Sequence, residues 1–247
     1  MNSFLNIFFP QKCLICGESI SFREHKYPHF CDRCIERLRE IPRGEIRCEK
    51  CGIPIKPSIV ESGYLLKKMN CLCERCRGEK FSFEYNISLY IYGEKLVKRV
   101  LHLYKFSNRR GVGYLFAERV GLLIKRRFVG LPVIPVPPRR RKIRKLGWDH
   151  VGFIAKILSR DYGIDVFPLL RRARNTKPQK ELDLKTRREN VKGAFSIDRG
   201  VRDKFFHMKS VILFDDIFTT GATVEECSRI LKSEGIERVF VVTIAID

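Results

Sequence analysis

The chain has 247 residues, enough for one substantial hydrophobic core plus a smaller module. Its 49 Lys and Arg against 28 Asp and Glu leave a net charge of +21, which points to a polyanionic partner, either nucleic acid or a phosphorylated ligand. No apolar run approaches the ~18 residues of a membrane span, and the opening MNSFLNIFFP lacks the basic start, long apolar core and small-residue cleavage site of a secretory signal, so the expected compartment is the cytoplasm.

Cysteine divides the chain. Nine of its ten cysteines fall between Cys13 and Cys76. They are spaced Cys13-x-x-Cys16, Cys31-x-x-Cys34, Cys48-x-x-Cys51 and Cys73-x-x-Cys76, with Cys71 as a ninth thiol able to replace Cys73. Each C-x-x-C turn offers two thiolates, and two such turns close a tetrahedron around Zn²⁺. Two structural zinc sites in tandem ribbons are therefore expected within residues 1–80, with disulfides the weaker alternative in a reducing compartment. Two four-thiolate sites would lower the net charge to about +17. Gly17 and Gly52, just after a pair, suit the turned-back backbone of such knuckles. Between the cysteines, Arg23, His25, Lys26, Arg33, Arg37, Arg39, Arg43 and Arg47 are interleaved with Phe22, Tyr27 and Phe30. That mixture reads equally as the solvated exterior of a small module or as a single-strand nucleic-acid surface.

From residue 81 to 247 strands and helices alternate, predicting an α/β domain with a mainly parallel sheet. Phe83, Tyr85, Ile87, Leu89 and Ile91 alternate as in a half-buried strand. Leu96, Val97, Val100, Leu101 and Tyr104 recur with helical period, and a second helix is expected from Arg110 to Lys125. Gly111-Val112-Gly113 begins like a dinucleotide fingerprint, but no third glycine or preceding strand accompanies it, so it reads as the start of that helix. Val133 to Val136 reads as a strand ending at Pro137-Pro138, followed by Arg139-Arg140-Arg141, and a third helix should cover about Asp149 to Ser159. The charged run from Arg171 to Asn190 reads as a mobile loop beside the site or as a solvated linker.

Val211 to Phe214 has the length and β-branched content of a strand buried on both faces, which would leave Asp215 and Asp216 at its carboxyl end, where ligands bind in open α/β sheets. Thr219-Thr220-Gly221-Ala222-Thr223 then leads into a helical pattern from Val224 to Glu234 that stops at Gly235, with Cys227 on its apolar side. Hydroxyls and backbone N–H groups at a helix N-terminus cradle anions, while adjacent carboxylates accept hydrogen bonds from paired hydroxyls or hold hydrated Mg²⁺. A sugar phosphate uses both. Thr223 and Glu226 also satisfy the capping-box spacing, but a capping box leaves the paired acids and the other threonines unexplained. An acidic ATPase strand is excluded because no G-x-x-x-x-G-K-[ST] occurs. A strand from Val239 to Ile246 completes the domain.

Asp215 to Thr223 resembles the phosphoribosyl diphosphate (PRPP) signature of type I phosphoribosyltransferases. The wider order of tandem C-x-x-C pairs, Tyr92-Gly93, Lys105-Phe106, Ile134-Pro135-Val136-Pro137 with its arginines, Thr176-x-Pro178-Gln179, Arg187-Arg188-x-Asn190-Val191-x-Gly193-Ala194-Phe195 and the Asp-Asp stretch resembles the ComF (ComFC) family of competence proteins over nearly the whole chain. The resemblance implies that Asp215 and Asp216 hold the ribose hydroxyls and help position Mg²⁺. It further implies that Thr219, Thr220, Gly221, Ala222 and Thr223 cradle the 5′-phosphate, and that the segment with Pro137 and Arg139 lies near the diphosphate. It implies a protein that helps single-stranded DNA enter the cell in natural transformation, in company with other competence proteins. The alternative is a Mg²⁺-dependent phosphoribosyltransferase acting on an unidentified nucleobase or nucleotide, unrelated to DNA. Where many relatives carry Arg-Gly-Phe-Asn-Gln, this chain has Leu146-Gly147-Trp148-Asp149-His150.

Overall fold

In the computed structural model, residues 11–20, 27, 29–55, 71–107, 109–139, 143–144, 147–173, 189–198, 200 and 207–247 are described. The elements are α1 (Asp32–Arg37), β1 (Asn86–Ile91), α2 (Lys95–Phe106), α3 (Gly111–Arg127), β2 (Val133–Pro135), α4 (His150–Tyr162), β3 (Leu170–Arg172), β4 (Phe195–Ile197), β5 (Ser210–Phe218), α5 (Ala222–Ser233) and β6 (Arg238–Ile246). Four strands form one sheet in the order β1-β6-β5-β2, every pair parallel. A fully parallel sheet must be covered on both faces, and its strands are accordingly mostly apolar.

Alternation along β5 and β6 sorts the core into two layers. Ile212 and Phe214 of β5, with Phe240, Val242 and Ile244 of β6, pack with Val100 and Leu101 of α2, Leu115 and Phe116 of α3 and Ile154 of α4. Val211, Leu213, Val239 and Val241 face the opposite side and pack with Val224, Cys227 and Leu231 of α5. Cys227 is fully buried, as its place on an apolar helix stripe predicts, and burial pushes its thiol well above the ordinary range, with the nearby Asp215 charge adding to that.

Three expectations need correction. The alternation from Phe83 to Ile91 does not make a half-buried strand: β1 begins at Asn86, and Asn86, Ser88, Leu89 and Tyr90 are all buried. The polar pair survives burial because the Asn86 amide donates to the Cys51 carbonyl (2.8 Å) and to Ser88 Oγ (2.9 Å), while Ser88 and Thr243 share a 2.7 Å bond. Second, β5 does not stop at Phe214; it runs on to Phe218, so Asp215 and Asp216 lie inside the strand. Third, the charged run from Arg171 to Asn190 begins within a short strand: β3 pairs antiparallel with β4, which follows the run, and strands of three residues are too short to register as periodicity. Residues 174–188, including Thr176, Pro178, Gln179, Arg187 and Arg188, lie outside the described residues.

The cysteine-rich segment contributes to the core. Cys13, Ile15, Phe30, Cys34 and Leu38 join the α2–α4 layer, whereas Ile41, Cys48, Cys51, Cys76 and Phe83 join the α5 layer. Between them the chain crosses edge strand β1: Ile41 N donates to Leu89 O (2.8 Å) and Asn86 N donates to Lys50 O (2.8 Å). That contact occupies an edge which would otherwise present unpaired backbone groups. Consequently Phe30 is no exposed stacking ring. Arg47 is no free surface cation either, since its guanidinium donates to the carbonyls of Ile41 (2.8 Å) and Pro42 (3.0 Å), and burial lowers its pKa. Arg33 pairs with Glu18, and the Tyr27 hydroxyl with Glu118 of α3. Phe22, Arg23, His25 and Lys26 lie outside the described residues.

Candidate functional site

The sulfurs of Cys13, Cys16, Cys31 and Cys34 lie within 4.8 Å of one another, and so do those of Cys48, Cys51, Cys73 and Cys76. Sulfurs at the corners of a tetrahedron with Zn–S near 2.3 Å stand about 3.8 Å apart. The Cys16–Cys31 and Cys51–Cys73 separations, both 3.7 Å, match that spacing and are far too long for a disulfide. Cys73 is the fourth member of the second set, so Cys71 is not. Gly17 and Gly52 both adopt φ near +77° (+79° and +76°), and at Gly52 a Cβ would fall 2.4 Å from Asn86 O, so turn and close approach both require glycine. Hydrogen bonds from the Cys51 and Cys76 thiols hold Cys48 far below the usual thiol range, while Cys51 is pushed up to about 11 beside it. A cluster that already favours a thiolate is ready for a cation.

A cavity of about 390 Å³ opens at the carboxyl edge of all four parallel strands. Tyr92 follows β1, Val136 to Arg139 follow β2, Asp215 to Phe218 end β5, and Asp247 follows β6; each lines the cavity. This is where the strand order of an open α/β sheet leaves a crevice. β2 pairs with β5 only to Pro135↔Phe214, with a last bond from Val136 N to Phe214 O (2.9 Å). Beyond that point β5 loses one neighbour, and its two acids line the opening.

Because successive side chains of a strand point to opposite faces, Asp215 and Asp216 do not converge. Asp216 turns to the α2–α4 layer. Its Oδ2 accepts from Lys105 Nζ (2.7 Å) at the end of α2 and meets His150 Nε2 (2.5 Å) at the start of α4. Lys105 and His150 are themselves buried, and the Tyr104 hydroxyl donates to the His150 carbonyl (2.5 Å). Asp149 sets the start of α4 by accepting from Val151 N and Gly152 N, an N-cap in the expected place. Asp215 belongs to the α5 side, and its Oδ1 accepts from Asp216 N (2.8 Å).

The cradle follows. Gly221 is the N-cap of α5 at φ +77°, and a Cβ there would lie 2.8 Å from Phe218 Cζ. The first-turn N–H groups of α5 therefore begin abruptly at the pocket, which Thr219, Gly221, Ala222 and Thr223 line. Thr220 turns inward and is buried; its Oγ1 accepts from Ala222 N (3.3 Å), so it shapes the turn. The capping box does not form, since Thr223 is already helical. Glu226 reaches elsewhere, accepting from Gly193 N (2.7 Å) before β4 and from Arg229 (2.8 Å), which together lower its pKa despite burial.

Pro137 and Arg139 line the pocket as expected, whereas Arg140 and Arg141 lie outside the described residues. Sequence reasoning assigned no role to Lys105, His150 or Arg172, which also line it. Lys105 had one available signal: it stands four residues after Leu101, on the buried stripe of α2. A hydrated Mg²⁺ fits this donor set better than a dehydrated one, because Asp216 Oδ2 is already engaged by Lys105 Nζ and His150 Nε2 and most of a shell would come from ligand oxygens and water.

The family model described as "Double zinc ribbon domain" matches residues 4–77. Competence protein F of Haemophilus influenzae is 25% identical over 239 residues, covering 94% of this chain and 95% of that protein. The chain is thus similar to a ComF-type competence protein over nearly its whole length. DNA utilization protein YhgH of Salmonella typhi is 25% identical over 234 residues, covering 92% of each chain. Its counterpart from Escherichia coli strain K12 is 24% identical over 233 residues with the same coverage. Likeness to these ComF relatives thus runs through both the cysteine-rich segment and the α/β segment. Among the described residues no helix is long and apolar enough to cross a membrane.

Proposed function

We propose that the pocket is a PRPP site, and that the protein works in the cytoplasm on imported single-stranded DNA together with other competence proteins. The single observation that carries the first half is the junction of a glycine-started helix N-terminus with two acids at one sheet edge. In this reading the first turn of α5, with Thr219 and Thr223, takes the 5′-phosphate. Asp215 receives ribose hydroxyls, and Arg139 and Arg172 face the diphosphate. Asp216 acts at one remove: clamped by Lys105 and His150, it fixes α2 and α4 around the opening and keeps the lysine cation and the imidazole beside the ligand. Bound Mg²⁺ would supply charge neutralisation for the diphosphate. The printed names of the relatives, competence protein F and DNA utilization protein, support the second half.

In this reading residues 1–80 are the zinc-binding module and residues 81–247 the PRPP-binding domain. Calorimetric titration of PRPP with Mg²⁺ into the zinc-loaded protein tests the site. Saturable binding is expected, weakened about tenfold or more in Asp215→Asn as a hydrogen-bond acceptor for the ribose is lost. Equal affinity in the variant, or no binding by the wild type, would defeat the assignment.

A further inference from the structure

The exposed face of α2 has a composition that helix stability does not explain. Lys95, Lys98, Arg99, His102 and Phe106 are all exposed. At 3.6 residues per turn they fall within an arc of about 100°, in a stripe about 16 Å long. α2 contains no acidic residue, and its basic residues begin in its first turn, where the helix macrodipole disfavours positive charge. None of Lys95, Lys98 and Arg99 is ion-paired with another described residue, and Glu94 at the N-cap is the one carboxylate adjoining them in sequence. A helix face that is merely solvated usually interleaves both signs.

The same stripe carries rings and ends at the pocket. Phe106 is 49% exposed and lines the cavity. His102 lies against it with ring centroids 4.8 Å apart. Lys98 Nζ sits 5.9 Å from the ring centre of Tyr92, another pocket residue. Cations spaced along a short track, with exposed rings at its end, suit a phosphate backbone whose bases are unpaired and free to stack; a duplex would hide the faces those rings need.

We propose that the solvent face of α2 is the contact surface for single-stranded DNA, with the strand reaching the mouth of the pocket at Phe106. The proposal rests on the strand-handling half of the functional reading and locates it on α2, outside the zinc ribbons. Lys95, Lys98 and Arg99 hold phosphates, and Phe106 with His102 stacks a base.

The test is fluorescence anisotropy of a labelled oligothymidylate with the full-length, zinc-loaded protein across a salt series. Lys95→Gln/Lys98→Gln/Arg99→Gln should weaken binding about tenfold or more at low salt and flatten the log–log salt slope by about 2, as three lost phosphate contacts require. Phe106→Ala should weaken binding about fivefold with the slope unchanged. The matched control Lys125→Gln/Arg126→Gln/Arg127→Gln, at the end of α3 and outside the pocket lining, should stay within about twofold. Equal losses in the control, an unaffected α2 variant, preference for duplex, or no strand binding by the wild type would each overturn the proposal. PRPP calorimetry on the α2 variant keeps the two readings apart: unchanged PRPP affinity with lost strand binding supports a surface distinct from the sugar-phosphate site. PRPP binding that persists in a wild type unable to bind the strand defeats the α2 proposal alone.

Discussion

The two faces of the central sheet each receive one cysteine cluster and one aspartate, yet they are built differently. On the α2–α4 face the first cluster packs by apolar contact through Ile15, Phe30 and Leu38, and its polar links run to α3: Tyr27 to Glu118, and Arg119 to the Leu38 carbonyl (2.9 Å). On the α5 face the second cluster is tied to the residues around the pocket. Arg75, between Cys73 and Cys76, donates to Asp247 O (3.1 Å). Ser82 donates from both N and Oγ to Glu225 in the first turn of α5, each at 2.7 Å. The Phe83 ring meets the Phe218 ring edge-on at 6.0 Å, and Phe218 in turn underlies Gly221. The lesson is that adjacent aspartates and tandem zinc ribbons need not be duplicates: one face anchors the helices, and the other positions the N-terminus of α5 at the pocket.

The largest expected effect separates the ribbons. Cys51→Ser should lose the second zinc and, with it, the order of the α5 N-terminus, weakening PRPP binding by about tenfold or more. Cys16→Ser should lose the first zinc and leave PRPP affinity within about threefold. Zinc content by elemental analysis and calorimetry on both variants provide the check, and equal losses of affinity would erase the distinction between the faces.

A smaller effect concerns the α2–α4 face. Lys105→Met removes the lysine cation from Asp216, whose side chain is 13% exposed, and should cost about 3 kcal/mol of stability by leaving a largely buried carboxylate undercompensated. Urea unfolding would measure it, and a change under about 0.5 kcal/mol would mean that Asp216 does not depend on the lysine.

The smallest effect belongs to the α5 face. Glu226 is 7% exposed in its side chain and joins α5 to the backbone before β4 through Gly193 N. Glu226→Gln should cost about 1.5 kcal/mol near neutral pH. Because the folded-state pKa of Glu226 is lowered, its contribution is full above the ordinary carboxylate range and is lost as pH falls through the folded value. The gap between wild type and variant should therefore close only in acid. A gap that persists unchanged there would show that the charge is not what matters.

Much of this was legible in the sequence. The C-x-x-C spacing foretold both four-sulfur clusters, and the helices around Val100, Phe116, Ile154 and Cys227 follow from long apolar periodicity. The full extent of β5 was not legible, because two adjacent acids read as the end of a strand unless one knows that β6 continues to pair alongside them through Phe218↔Ile246. Nor was the Lys105–Asp216–His150 cluster, whose members are far apart in the chain and meet only when α2, α4 and β5 pack. The same holds for Arg47 and Phe30: local composition places them on a surface, and tertiary packing buries them.

The account's central claim is that the cavity at the sheet's carboxyl edge holds a sugar phosphate. A crystal structure of the zinc-loaded protein with PRPP and Mg²⁺ tests it most directly. The predicted result is the 5′-phosphate on the first-turn N–H groups of α5, the ribose toward Asp215 and the diphosphate toward Arg139. An empty cavity at saturating ligand, in a lattice that leaves it open, or a ligand bound with its 5′-phosphate away from Gly221 to Thr223, would contradict the claim.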